Sequence, residues 1–110
     1  MKGIAGLLLV PALAWAQTPE PEIDPATDLK ISPGWLHARA HCGGCHSHAL
    51  VTAQRGDRDT WLAMIRWMQD TQNLWKLAPE VENELLDYLA KNYAPRAPTR
   101  RAQLPKSLRP

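Results

Sequence analysis

The 110-residue chain contains two cysteines, three positions apart, and a histidine follows the second: Cys42-Gly43-Gly44-Cys45-His46. Cys-x-x-Cys-His is the attachment signature for c-type haem. The spacing has a chemical reason. Two thiols three positions apart on a helical turn reach the two vinyl groups on one edge of a porphyrin. The next residue then carries an imidazole beneath the iron as the proximal ligand. Covalent attachment holds a haem in a domain too small to retain it by burial alone, and Gly43 and Gly44 keep side chains off the porphyrin edge. Three other uses of the residues compete. A redox dithiol belongs in a βαβ context, and this chain has no strand alternation. A zinc site could add His37, His41 or His48 to Cys42, Cys45 and His46, but all of these are local and no second lobe exists. A disulfide would close only a very short loop and add little stability. The pattern favours one covalent haem c.

An iron held by His46 has a sixth position. A methionine there raises the potential and suits electron transfer. Outside the first residue, the only methionines are Met64 and Met68. Both fall on the same helical face, so periodicity does not separate them, and filling core space is the commonest use of either. His37, His41 and His48 flank the proximal side and cannot reach around the haem. A vacant sixth position would instead make a gas-binding or sensor haem. Arg55 and Arg58 lie between the two ligand positions and are candidate propionate partners, or ordinary surface arginines. Trp61, one of five tryptophans in a chain without phenylalanine, is a candidate haem contact, because an indole packs well on a large flat apolar group. No pair of side chains is equipped for general acid–base or nucleophilic work, so no catalytic site is assigned and the chain is not expected to be an enzyme by itself.

These residues need elements to position them. Residues 1–16 read as a cleaved export signal, with Lys2, a short apolar run and Ala14-Trp15-Ala16. The run is too short to span a membrane, which implies a periplasmic mature chain with no transmembrane anchor. Residues 17–33 carry Pro19, Pro21 and Pro25 among acids and read as an extended, mobile linker. Pro33-Gly34 introduces a helix from Trp35 to about His41. A second begins near Asp59, where Trp61, Met64, Ile65 and Met68 share one face. A third starts at Pro79, with Glu80, Glu82 and Glu84 loading its N-terminus, and stops at Pro95. The fold class is all-α: one domain over 34–94, three to four helices around one haem. Residues 95–110 form a basic, proline-rich tail. Residues 17–94 hold seven Lys and Arg against eleven Asp and Glu, a balance of −4, whereas the tail is +5. Such a tail suits docking on an acidic partner or is simply solvated, and nucleic acid is not an expected partner of an exported chain with an acidic body.

From His37 to Pro95 the chain resembles the small monohaem cytochromes c. In many of these a Trp precedes the ligand Met by seven residues and the last helix ends Tyr-Leu-Ala-x-Asn-Tyr/Phe. The corresponding residues are Trp61 with Met68, and Tyr88 through Tyr93. Gly34 sits eight residues before Cys42, as a helix-contact glycine does in larger cytochromes c. The usual aromatic four before that cysteine is Ala38 here, and Trp35 is the candidate substitute. The resemblance favours Met68 over Met64 as distal ligand. More narrowly, Leu50-Val51-Thr52, Arg55 to Arg58, Ile65 to Gln69 and Leu74-Trp75 are similar to the cytochrome subunit of bacterial sulfite dehydrogenases. That likeness implies a haem subunit taking electrons from a molybdenum-cofactor enzyme that oxidises sulfite, and passing them to a soluble cytochrome or an oxidase. The alternative is a free carrier serving another periplasmic dehydrogenase.

Overall fold

The computed structural model describes residues 18–97. Half of these lie in four helices: α1 (Trp35–His41), α2 (Ala49–Ala53), α3 (Arg58–Thr71) and α4 (Pro79–Asn92). Among the described residues the only β pairing is an isolated antiparallel bridge between Ile23 and Lys30. The expected all-α class is what the backbone adopts. The export signal proposed for 1–16 and the tail from residue 98 onward lie outside the described residues.

Local chemistry sets the helix limits. Asp57 caps α3, its side chain accepting from the Thr60 N–H at 2.8 Å. Helix α3 gives way at Gln72, and Asn73 turns the chain with a φ of 57°. Pro79 opens α4, Glu80 and Glu82 occupy its first turn and Lys91 its last. The short α2 was not visible as periodicity, because five residues make little more than one turn.

Helix α4 is the centre of the core. It buries Leu85, Leu86, Tyr88 and Leu89, and both α1 and α3 pack on it. Gly34 makes the α1 crossing close. Its φ is +93°, and a β-carbon there would sit 2.7 Å from the Glu84 carbonyl oxygen and 2.8 Å from the Tyr88 Cβ. That matches the helix-contact glycine expected at this position. Ala38, where an aromatic was missed, is fully buried, and Trp35 packs partly buried against the core. On α3, Trp61 and Ile65 are buried. The Trp61 indole N–H donates to the Tyr93 carbonyl at 3.2 Å, which also accepts from the Gly56 N–H.

The described part of the proline-rich segment, residues 18–33, departs from the extended, mobile linker that its prolines suggested. Asp24 closes a turn by accepting from the Thr27 hydroxyl, and the Asp24 N–H donates to the Leu29 carbonyl at 2.9 Å. Leu29 is fully buried in the same core as α4. The Tyr88 hydroxyl donates to the Lys30 carbonyl at 2.8 Å, and the Lys30 N–H donates to the Tyr93 hydroxyl at 3.1 Å. One leucine and two tyrosines thus fasten a proline-rich segment to α4.

Candidate functional site

Helices α1 and α3 each pack on α4 and not on one another. Between them lies a cleft of about 520 Å³, within the ~300–1,000 Å³ typical of small-molecule and cofactor sites. One side is formed by His41, Cys42, Cys45 and His46, continued by Leu50, Val51 and Gln54. The other comes from α3 and the residues after it: Trp61, Met64, Trp67, Met68, Gln72 and Leu74. The apolar row read on α3 therefore divides. Ile65 turns to the core, Met64 and Met68 line the cleft, and Trp61 belongs to both.

The attachment motif is not on a helical turn, as its spacing suggested. Helix α1 ends at His41 and Cys42 is its C-cap. Residues 43–46 continue as an irregular bend. Two consecutive glycines are poor helix formers, and His48 draws the chain back, its Nε2 bonding the Arg39 carbonyl at 3.1 Å. A β-carbon on Gly43 would fall inside the His48 imidazole. A side chain at the first glycine would have to displace a histidine ring of the protein itself.

His46 is set up to offer one nitrogen. Its Nδ1 lies 3.1 Å from the Ser47 carbonyl. A carbonyl can only accept, so Nδ1 carries the proton and the Nε2 lone pair stays free. Bonding of the second ring nitrogen to a carbonyl is the usual way a metal-ligating histidine is oriented. Burial pushes the Cys42 thiol up to about 11, opposite to the lowered value that makes a redox dithiol a nucleophile. Among the described residues no three His, Cys, Asp or Glu side chains are grouped to hold a metal ion.

The residues on the cleft fit a covalent haem: two thiols three positions apart, an imidazole nitrogen with a free lone pair, two thioether sulfurs on the facing helix, and apolar lining from Leu50, Val51, Trp61, Trp67 and Leu74. Leu50 and Trp67 are 61 % and 56 % exposed, so much apolar surface borders the cleft. The suggested arginines lie elsewhere. Arg55 donates to the Thr52 and Gln54 carbonyls at 2.6 and 2.7 Å and its guanidinium lies 5.3 Å over Tyr93. Arg58 joins α3 to Asp87 and Asn83 of α4, both at 2.9 Å. The polar lining is His41, Gln54 and Gln72 instead. Helical spacing would have found Trp67, three after Met64, and Gln72, four after Met68. Gln54 follows a helix too short to show a period.

Compared with known protein families, characterised proteins and solved structures, the chain matches none.

Proposed function

We propose that this chain is an exported electron-transfer protein with one haem c, joined through Cys42 and Cys45, with His46 as proximal and Met68 as distal ligand. The observation that carries the reading is the cleft itself, with the Cys-x-x-Cys-His residues on one side and the methionines of α3 on the other. When bound, the haem supplies a one-electron couple at its iron. The chain's part is to hold and enclose it. The thiols give two thioether tethers, His46 presents Nε2, and Trp61, Val51 and Leu74 keep water from the apolar faces. A thioether ligand raises the potential of a haem, in keeping with an acceptor of electrons. On the resemblance to the cytochrome subunit of sulfite dehydrogenases, the donor is a molybdenum-containing sulfite-oxidising enzyme, and a soluble cytochrome or an oxidase is the acceptor. The expected compartment is the periplasm. Among the described residues no helix is long and apolar enough to cross a membrane.

Replacing each methionine tests the ligand assignment. Met68→Ala should let CO bind the reduced protein and should lower the midpoint potential, while Met64→Ala leaves both near the parent values. The opposite result transfers the role to Met64. CO binding by the unmodified protein, at a rate no substitution changes, favours a gas-binding haem. Reduction of the protein on mixing with sulfite and a purified molybdenum sulfite-oxidising enzyme tests the donor, and a protein that stays oxidised contradicts it.

A further inference from the structure

We propose that Trp75 is a positioning residue of this cleft, fastening the methionine-bearing helix to the attachment loop and so keeping the distal ligand engaged. The proposal rests on the haem reading above. It starts from the segment between α3 and α4. The Met68 carbonyl accepts from two backbone N–H groups, Gln72 at 2.9 Å and Leu74 at 3.1 Å, so this segment is anchored at the level of Met68. Leu74 then lines the cleft. The Gln69 side-chain amide donates to the Trp75 carbonyl at 3.3 Å, which fixes the next residue to the same helix. From there the indole crosses to the other side. Its Nε1 donates to His41 Nδ1 at 3.2 Å, and the two rings meet edge to face, 5.9 Å between centroids. The indole edge also lies over Gly44, where a β-carbon would be 3.6 Å from Cη2.

Helices α1 and α3 do not pack on each other. Their common support is α4, and the Trp75 bridge is a further connection between the two sides. An indole N–H can only donate, so it holds His41 in the tautomer with Nδ1 unprotonated. Trp75 is 47 % exposed, and its ring does little for the core. Its value is the link. Without it, a direct side-chain link between the two sides is lost, and the fraction of molecules with Met68 withdrawn from the iron rises.

The test uses the holoprotein. Trp75→Phe keeps a ring and removes the N–H. His41→Phe removes the acceptor, and His41→Gln restores one through its carbonyl. Loss of one hydrogen bond corresponds to about a fivefold rise in the open fraction. CO should therefore bind reduced Trp75→Phe and His41→Phe about fivefold faster than parent, with a lower midpoint potential. His41→Gln should lie nearer the parent, and the double Phe variant should be no faster than either single, because both lose the same bond. Parent-like CO rates and potentials in Trp75→Phe, even with a lower melting temperature, overturn the proposal by making Trp75 merely structural. Additive effects in the double variant overturn it too. If Met68→Ala and Met64→Ala both leave CO binding unchanged, the haem–methionine reading fails first and on its own.

Discussion

At the scale of single residues, the histidines near the motif divide by what their second nitrogen does. His46 bonds a carbonyl through Nδ1 and leaves Nε2 free. His48 uses Nε2 on the Arg39 carbonyl and occupies the space beside Gly43. His41 accepts from Trp75, and His37 bonds Glu84 at 2.9 Å. Of the two that line the cleft, His41 and His46, only His46 keeps an unprotonated nitrogen without a partner. The Gly43–His48 contact gives a direct expectation. Gly43→Ala should destabilise the protein by about 1–3 kcal/mol through overpacking, and His48→Ala in the same chain should recover most of that loss. Denaturation of the four proteins of this cycle reads the coupling, and two independent, additive losses would show that the ring is not what excludes a side chain there. The motif and its histidine were legible in the sequence because their spacing is chemical. The reason for Gly43 was not, since it depends on where His48 returns to α1, and neither was the placing of Arg55 and Arg58, whose partners are carbonyls and an α4 carboxylate brought close only by folding.

At the scale of elements, three helices were readable because each carries its own signal: Pro33-Gly34 before α1, the apolar row of α3, and Pro79 with its acids in α4. What periodicity did not show is that the α3 face serves two neighbours, the core through Ile65 and the cleft through Met64 and Met68. The Asp57 cap also makes α3 sensitive to acid. Hydrogen bonds from the Thr60 backbone and side chain hold the Asp57 carboxyl below its ordinary range. A depressed native value means that its stabilisation is present above the unfolded-state pKa and is lost as pH falls through the folded one. Asp57→Ala should therefore lower the melting temperature at neutral pH, and the gap to the parent should shrink on acidification to about pH 3 and below. A gap that is the same at both ends of that range would mean that the charged cap is not what starts α3.

At the scale of the whole molecule, the fold is a core on α4 with a cleft on one side and an N-terminal segment fastened by Leu29, Tyr88 and Tyr93. Prolines and acids concealed that segment in the sequence, because the signal for docking is one buried leucine and two tyrosine hydroxyls more than fifty residues away. Leu29→Ala should cost about 2–5 kcal/mol, the usual loss for a buried leucine, and lower the melting temperature by about 10 °C or more. Leu36→Ala, at a position 60 % exposed, is the control and should change stability by less than about 0.5 kcal/mol. Equal small effects at both sites would mean that the segment is not part of the folded unit.

The proposed function depends on a covalently attached haem in this cleft. The most direct measurement is the intact mass of the exported chain, taken with its visible spectrum before and after acid-acetone extraction. The expected result is a red protein heavier by one haem, whose colour stays with the polypeptide, and loss of that added mass when Cys42 and Cys45 are both replaced by serine. A colourless protein at the mass of the bare chain, or a haem that acid-acetone removes completely, would contradict it.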